Sequence, residues 1–428
     1  MNPMKNGLRL LLPLLVLLTG CATTQVTTPP QQGARTSQAS RTPLLLVSID
    51  AFRSDYLERG QSPALSTMAA NGVRAKWMQP AFPTLTFPNH YTLVTGKYPD
   101  HTGIINNTMY DPKLGRFSLS RHEAVRDGRW WDEAEPIWVT ADRQGLKTAT
   151  MFWPGSEAKI RGYRPDYWLA YNGAFTPGER VDQVLAWLDL PPSRRPDFLT
   201  LYFDRVDHAG HEYGPDTPEV DAAIRKVDHA IAQLVTGLKA RKLYDKINII
   251  VLADHGMATV PDGHQVLIDK LIDLDHVNVV SMGILAGFNP KPEYAQAVAD
   301  KLLKEHPHMR CWRKGHFPAR LHYGTNPRTP EISCLADVGW QIASSAYLEQ
   351  RKRPMSKGEH GYDNDSPLMH ALFIAHGPAF GAGRVIDGFP NVDVYPLMTH
   401  LLGIKAQPND GSMKPWSKAL EPAALETP

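Results

Sequence analysis

Five short apolar runs, rich in β-branched residues, most constrain what this chain can fold into. They span 44–49, 148–153, 198–203, 247–253 and 371–375. Continuous runs of this kind predict strands that are buried on both faces of a sheet. Helical periodicity separates them over about 180–189, 218–240 and 292–304, and Thr217 is placed to cap the second of these helices. The alternation predicts an α/β fold with a mainly parallel central sheet and helices on both faces.

The segment from about 265 to 355 breaks this alternation, which predicts an elaboration or small lobe inserted into the main sheet. A length of 428 residues allows roughly three domains of ~150 residues. No Pro/Gly-rich linker divides 44–405, however. We therefore expect one large domain over 44–405 and a C-terminal tail over 406–428.

Charge is balanced along the chain, with 46 Lys and Arg against 44 Asp and Glu and no long run of one sign. A polybasic membrane patch or a surface for polymeric nucleic acid is therefore not expected. We expect a small-molecule substrate, and a monomer is favoured.

The first 20 residues have a short basic start followed by an apolar run of about nine residues. Such a run is too short to span a bilayer and is typical of a secretory signal peptide. It ends in Leu-Thr-Gly before Cys21, which resembles the cleavage box of bacterial lipoproteins; the alternative is an ordinary signal peptide with a chance cysteine. The prediction is a lipid anchor at Cys21, a flexible tether over 21–43 and a place in the bacterial cell envelope, on the outer membrane facing the periplasm.

Cys311 and Cys334 are the two cysteines that remain if Cys21 is lipidated. In an oxidising compartment a disulfide between them is plausible, and two free buried thiols are nearly as plausible. The sequence leaves both alternatives open.

Carboxylates and imidazoles follow three of the predicted strands. Asp50 follows the first strand, Asp207 and His211 follow the third, and Asp254-His255 follows the fourth. Each alone has a plainer explanation as a turn, a helix cap or a surface pair. Their joint appearance at the carboxyl ends of strands, where ligands of open α/β sheets gather, favours a catalytic Zn²⁺ or Mn²⁺ site.

Thr86 stands at or just before the start of a predicted helix in which Pro88 occupies the first turn. A helix N-terminus favours anions, and a hydroxyl held there beside a divalent cation becomes a better nucleophile. The alternative is a threonine that merely caps the helix.

Six segments carry a resemblance to a known family. They are Asp50, TFPNHYTLVTGKYPDHTGI (86–104), WPGSE (153–157), DRVDHAGHEYGP (204–215), ADHGM (253–257) and GEHGYDN (358–364). Together they resemble, in content and order, the nucleotide pyrophosphatase/phosphodiesterase family of the alkaline phosphatase superfamily. The resemblance spans about 50–405 and implies an alkaline-phosphatase-like core that is a type I phosphodiesterase catalytic domain. One departure is His101-Thr102-Gly103, where the family usually has His-Gly.

The resemblance also implies two zinc ions per chain and a set of residue roles. One ion would be held by Asp207, His211 and His360, and the other by Asp50, Asp254 and His255, with the Thr86 oxygen as a fourth ligand or close to it. Thr86 would attack phosphorus to form a phospho-threonine diester that water then hydrolyses, releasing nucleoside 5′-monophosphates. Asn107 would support a phosphoryl oxygen, and Phe87 and Tyr171 would face each other across the substrate pocket. Two such aromatic faces can sandwich a base.

Several alternatives remain open on the sequence. Trp168 and Tyr202 can equally be core aromatics. A phosphodiesterase acting on choline or glycerol phosphodiesters, or a phosphomonoesterase of the same superfamily, is possible, although Arg53 is the single nearby cation for a monoester's extra charge. A sulfatase is disfavoured because the Cys/Ser-x-Pro-x-Arg context is missing around Thr86. A zinc-binding surface lipoprotein without activity would be expected to lack a ligand or the nucleophile, and none is missing.

Overall fold

The predicted strand Leu44–Ile49 lies inside an eight-stranded sheet in the computed structural model, and all six of its residues are buried. The structure describes residues 41–352 and 354–426. The predicted signal peptide, Cys21 and residues 21–40 of the tether lie outside these described residues. Residues 41 onward belong to one unit, to which the following description refers.

The strands are β1 (Leu44–Ile49), β2 (Val73–Ala75), β3 (Met78–Gln79), β4 (Thr108–Asp111), β5 (Gly115–Ser118), β6 (Thr148–Met151), β7 (Tyr167–Leu169), β8 (Phe198–Phe203), β9 (Asn248–Leu252), β10 (Ala258–Thr259), β11 (Gln265–Leu267), β12 (Val277–Ser281), β13 (Leu285–Pro290), β14 (Met309–Arg313), β15 (Ile332–Ala336), β16 (Gln341–Ala343), β17 (Gly358–Glu359), β18 (Phe373–His376), β19 (Arg384–Ile386) and β20 (Phe389–Pro390).

The α-helices are α1 (Pro63–Ala70), α2 (Thr86–Thr95), α3 (Pro99–Thr102), α4 (His122–Arg126), α5 (Ile137–Arg143), α6 (Pro177–Leu188), α7 (Arg205–Tyr213), α8 (Pro218–Ala240), α9 (Ala295–Leu302), α10 (Ser345–Gln350), α11 (Val394–Leu401) and α12 (Pro422–Leu425). Short 3-10 helices cover Ser54–Arg59, Gly128–Trp130, Tyr244–Lys246, Ile268–Lys270, Leu274–His276, Pro292–Tyr294, Ala319–Leu321, Pro367–Met369, Asn391–Asp393 and Lys414–Lys418. Within the described residues, no helix is both long enough and apolar enough to span a bilayer.

The central sheet has the strand order β19-β2-β18-β9-β1-β8-β6-β7. Neighbouring strands from β9 to β7 are all parallel. Strands β1, β6, β8 and β9 are buried along their whole length, as expected when helices cover both faces. The predicted α/β class with a mainly parallel central sheet is confirmed.

Strand β18 runs opposite to its neighbours β9 and β2, which the parallel prediction did not anticipate. The reason lies in the connection. Phe373, at the start of β18, pairs with Leu252, at the end of β9, so the chain enters β18 at the edge where β9 finishes. A parallel strand would need a crossover back to the opposite edge.

The helices begin and end close to the predicted positions. Helix α6 starts with a capping box in which Thr176 accepts from the backbone of Glu179 and the Glu179 carboxylate accepts from Thr176. Thr217 occupies the N-cap position of α8, but its hydroxyl donates to the Gly214 carbonyl at 2.9 Å and makes no capping bond to the helix.

The predicted small lobe contains a four-stranded antiparallel sheet of order β12-β13-β15-β14. Cys311 and Cys334 lie directly opposite each other on β14 and β15 and form a disulfide. The pairing of these two strands therefore resolves the alternatives that the sequence left open for these cysteines.

The packed core extends beyond residue 405, where the sequence suggested that the large domain ends. Trp416 is fully buried and packs against Phe373 and Phe389, with ring centroids 5.2 and 4.7 Å away. Through Trp416, the segment 406–426 therefore packs against β18 and β20.

Candidate metal centre

The candidate site lies at the carboxyl ends of three adjacent strands. Asp50 follows β1, Asp254 and His255 follow β9, and α7, which starts just after β8, carries Asp207. Because β8, β1 and β9 are parallel neighbours, their carboxyl ends deliver these side chains to one place.

The six predicted metal ligands form two compact groups. Each group offers three ligand atoms that all lie within 4.8 Å of one another: Asp207, His211 and His360 in the first group, and Asp50, Asp254 and His255 in the second. The groups adjoin, since the rings of His255 and His360 stack with centroids 3.6 Å apart. The structure therefore brings together all six side chains.

Each histidine of the two groups is oriented by a backbone carbonyl. The Nδ1 atoms of His211, His255 and His360 lie 2.8, 2.9 and 2.9 Å from the carbonyl oxygens of Gly358, Gly256 and Thr84. Bonds of this kind place the proton on Nδ1 and leave Nε2 free, which is the usual arrangement of a histidine that binds a metal.

One carboxylate oxygen of each aspartate is buried without a hydrogen-bond partner. These atoms are Asp50 Oδ1, Asp207 Oδ1 and Asp254 Oδ2. Buried anionic oxygens are costly unless a cation or donor compensates them. The residues present fit divalent cations, and a donor set of carboxylate and imidazole without thiolate suits zinc or manganese.

The pKa values of these side chains reflect the crowding of charge. Burial, reinforced by the carboxylates of Asp254 and Asp207, raises the pKa of Asp50 well above its usual range. Burial would also raise the pKa of Asp207, but the neighbouring histidines outweigh it and hold that pKa low. Burial, together with the charge of His255, lowers the pKa of His360 to about 3. A cation placed among these groups would relieve the repulsion between carboxylates.

Thr86 is the first residue of α2, and its Oγ1 lies 3.3 Å from Nε2 of His255. The prediction that Thr86 stands at a helix N-terminus is confirmed, with Leu85 at the N-cap. The Thr86 hydroxyl thus lies at the positive end of the helix dipole and directly contacts His255, a member of the second ligand group.

His90 is a site residue that the sequence reasoning missed. Its Nδ1 lies 2.9 Å from the Thr86 carbonyl and 3.3 Å from Asp254 Oδ2, and its Nε2 lies 2.8 Å from Ser48 Oγ. The residue stands four positions after Thr86, one helical turn along α2. In the sequence, this spacing from Thr86 was the one feature that could have indicated a role for His90.

Asn107 lies beside the start of α2, where its Oδ1 accepts from the Phe87 backbone N–H at 2.9 Å. Its neighbour Asn106 is turned away, because its side chain bonds the Leu285 carbonyl and the Thr108 backbone. Of the two asparagines, Asn107 is therefore the one whose amide is held next to Thr86.

A cavity of about 250 Å³ opens beside these residues. Its lining includes Asp50, Thr86 and Asp207, together with Phe87 and Tyr171, the two aromatics expected in the substrate pocket. Phe87 packs edge-on against Phe117, and Tyr171 packs edge-on against Phe152, with ring centroids 5.9 and 5.5 Å apart.

Tyr202 also lines the cavity and donates its hydroxyl to Asp50 Oδ2 at 2.5 Å. It is therefore part of the site and not a simple core aromatic. Trp168 is outside the cavity lining, beneath the guanidinium of Arg164. In the sequence, the position of Tyr202 just before the end of β8 did not indicate whether its ring lies in the core or lines the cavity.

Known proteins resemble this chain in sequence and in structure. The sequence profile of the family described as type I phosphodiesterase / nucleotide pyrophosphatase matches residues 44–363. An uncharacterized pyrophosphatase/phosphodiesterase of Schizosaccharomyces pombe is 39% identical over 380 residues, which cover 86% of this chain and 78% of that protein. A venom phosphodiesterase of Naja atra is 40% identical over 389 residues, 87% of this chain and 45% of the relative. The chain thus spans less than half of the venom protein.

Among solved structures, the murine ectonucleotide pyrophosphatase/phosphodiesterase 5, as an inactive threonine-to-alanine variant in complex with AMP, is similar with a TM-score of 0.84 at 35% identity. It covers 89% of this chain and 100% of its own. The human form of the same protein gives the same TM-score at 34% identity.

Proposed function

Because this chain belongs to the type I phosphodiesterase / nucleotide pyrophosphatase family, a family of metal-dependent hydrolases, we propose that it cleaves phosphodiester and pyrophosphate bonds of nucleotides and releases nucleoside 5′-monophosphates. One observation carries the proposal. The Thr86 hydroxyl stands at a helix N-terminus, 3.3 Å from His255, beside two groups of three ligands each.

The metal we propose is zinc, one ion in each ligand group. Asp207, His211 and His360 would hold one ion, and Asp50, Asp254 and His255 the other. Paired divalent cations lower the pKa of a coordinated hydroxyl and neutralise charge on the transferred phosphoryl group.

Thr86 is the proposed nucleophile. Its Oγ1 loses its proton to solvent and forms a bond to phosphorus, the bond from phosphorus to the leaving-group oxygen breaks with its electron pair on that oxygen, and a phospho-threonine diester results. Water then attacks phosphorus and gives up a proton, the bond from phosphorus to Oγ1 breaks, and the Thr86 oxygen takes up a proton as it departs. The Asn107 side-chain amide and the Thr86 backbone N–H would donate to a phosphoryl oxygen, whereas the Phe87 N–H is already engaged by Asn107 Oδ1.

A choline phosphodiester is the less favoured substrate in this proposal. Recognition of a quaternary ammonium needs aromatic faces, often with a free carboxylate beside them. Glu157 lines the cavity, but its Oε1 accepts from the Tyr171 backbone at 2.7 Å and its Oε2 pairs with Arg126 at 2.8 Å. Both oxygens are therefore already engaged.

A monoesterase is disfavoured as well. A monoester carries an extra negative charge that calls for a further cation near the phosphate. Arg53 pairs with Asp55 and Asp216, at 2.5 and 2.8 Å, and is outside the cavity lining. Its charge is thus committed elsewhere.

We further propose that the enzyme is held at the membrane through a lipid at Cys21, in the envelope location expected from the sequence. The support is the Leu-Thr-Gly-Cys box and the polar tether that follows it.

A panel of chromogenic substrates tests the proposed reaction. We expect kcat/KM for the p-nitrophenyl ester of thymidine 5′-monophosphate to exceed that for p-nitrophenyl phosphate and p-nitrophenyl phosphorylcholine by at least about tenfold, because base stacking contributes about 1–3 kcal/mol. Equal or faster turnover of the monoester would contradict the diesterase proposal. Faster turnover of the phosphorylcholine ester would assign the pocket to choline head groups.

A further inference from the structure

A buried ion pair lies directly behind the substrate cavity. Arg180, from α6, donates from Nη2 to Asp204 Oδ2 at 3.1 Å, and the two side chains are 1% and 4% exposed. Asp204 is the residue that follows β8, three positions before the metal-ligand candidate Asp207. Neither member of this pair lines the cavity or belongs to the two ligand groups.

The pair reaches three aromatic residues that line the cavity, Phe152, Tyr171 and Tyr202, which we call the pocket wall. The Arg180 guanidinium lies 5.1 Å from the centre of the Phe152 ring, and its Nη1 donates to the Tyr202 carbonyl at 2.8 Å. Asp204 Oδ2 accepts from the Tyr171 hydroxyl at 2.5 Å.

Tyr171 is the member of the wall that most needs such support. It is 37% exposed, whereas Phe152 and Tyr202 are 3% and 8% exposed. Its backbone N–H is held by Glu157, and its hydroxyl is held by Asp204. A hydrogen bond to an ionised carboxylate is short and strong, so this bond determines where the ring points.

The backbone of Phe152 indicates that neighbouring residues hold the pocket wall in its conformation. Its φ is 64°, in the left-handed region that side chains other than glycine rarely adopt. Backbone of this kind persists where neighbouring groups over-determine it, most often beside functional sites.

A purely structural role explains the pair less well. A buried ion pair typically adds little to stability compared with apolar side chains of the same size. Here one oxygen, Asp204 Oδ1, and one nitrogen, Arg180 Nε, remain buried without hydrogen bonds, which makes the pair costly. The ion pair does, however, contact every member of the pocket wall.

We propose that Asp204, held by Arg180, is a positioning residue that fixes the Tyr171 ring as the wall of the base subsite and thereby sets KM for nucleotide substrates. The proposal rests on the proposed function, since it assumes that a nucleobase occupies this cavity. In this proposal the Tyr171 ring contacts the base and not the reacting phosphoryl group, so its contact would be the same in the ground state and the transition state. Loss of such a contact raises KM and leaves kcat unchanged.

The test compares Asp204→Asn with the wild-type enzyme on two esters that share a leaving group. On the p-nitrophenyl ester of thymidine 5′-monophosphate, we expect KM to rise about fivefold to tenfold, which is part of the stacking contribution, with kcat within about twofold. On methyl p-nitrophenyl phosphate, which has no base, we expect kcat/KM to change less than about twofold.

Asp228→Asn is the matched control. Asp228 is as buried as Asp204 when the whole residue is counted, at 4% against 3% exposure, but its carboxylate accepts from the backbone of Ala64 and Leu65 at the start of α1. Its substitution should lower the melting temperature. It should leave unchanged the ratio of the KM for the thymidine ester to the KM for methyl p-nitrophenyl phosphate. A double-mutant cycle completes the test, because Asp204→Asn should add little to KM once Tyr171→Phe has removed the hydroxyl.

An equal change on both esters, a fall in kcat at constant KM, or a full Asp204→Asn effect in the Tyr171→Phe background would overturn the proposal. If Asp204→Asn does not fold, Tyr171→Phe alone decides, since this half-exposed side chain loses only its hydroxyl. An unchanged nucleotide KM in that variant would also overturn it. If the wild-type enzyme itself shows no preference for the nucleotide ester, the proposed function fails and this inference fails with it.

Discussion

Replacement of Thr86 by alanine is expected to lower kcat/KM for nucleotide diesters by at least about 10³-fold, the order of loss that follows removal of a covalent nucleophile. The substitution removes the hydroxyl that lies 3.3 Å from His255. It leaves α2 otherwise intact, because Leu85 occupies the N-cap and the Thr86 side chain makes no capping bond. Steady-state kinetics with the p-nitrophenyl ester of thymidine 5′-monophosphate measures the loss.

Two further variants separate chemistry from structure. Thr86→Ser keeps a hydroxyl at the same position and should lose far less activity than Thr86→Ala. Thr95→Ala, at the other end of α2, removes a buried hydroxyl that donates to the Tyr91 carbonyl at 2.7 Å, and should alter stability more than kcat. Substantial turnover by Thr86→Ala would contradict the assignment of the nucleophile.

Removal of metal is expected to abolish turnover and to preserve the fold. After chelation we expect less than about 1% of the initial rate, since a two-metal site supplies the electrostatic stabilisation of phosphoryl transfer. The central strands pack without the site, because Leu44, Leu45 and Leu46 are completely buried by other side chains. Far-ultraviolet circular dichroism should therefore change little, and added zinc should restore activity.

The same treatment should lower the melting temperature. The crowded, buried carboxylates of Asp50, Asp207 and Asp254 then have only neighbouring histidine nitrogens, and no metal cation, to compensate their charge. Global unfolding on chelation would contradict the view that the core is independent of metal, and full activity in excess chelator would contradict the metal requirement itself.

The fold was predictable from local sequence because its strands are buried on both faces. Runs such as Leu44–Ile49 and Phe198–Phe203 are apolar at nearly every position, and this signal does not depend on which strands become neighbours. The direction of β18 was not predictable in this way. It depends on Phe373 entering the sheet beside Leu252, which is a property of the connection and not of the strand's own residues.

Part of the candidate metal site was predictable for a related reason. Side chains that follow parallel strands must meet at one edge, so Asp50, Asp207, Asp254 and His255 could be placed together before their distances were known, whereas their division into two groups and the inclusion of His360 came from the family resemblance. His90 and Arg180 could not be placed in this way, and although Asp204 directly follows β8, its position did not indicate that it pairs with Arg180. Each acts on another residue through tertiary contact, and sequence spacing carries no information about a guanidinium that reaches from α6 to the end of β8.

The proposed site holds two metal ions beside Thr86, one in each group of three ligand residues. Metal analysis of the purified protein, after equilibration with zinc and removal of free metal, measures this content. We expect about two zinc equivalents per chain for the wild-type enzyme, and about one each for His211→Ala and His255→Ala, which remove a ligand from different groups. One equivalent or none in the folded wild-type protein, or an unchanged content in both variants, would contradict the account.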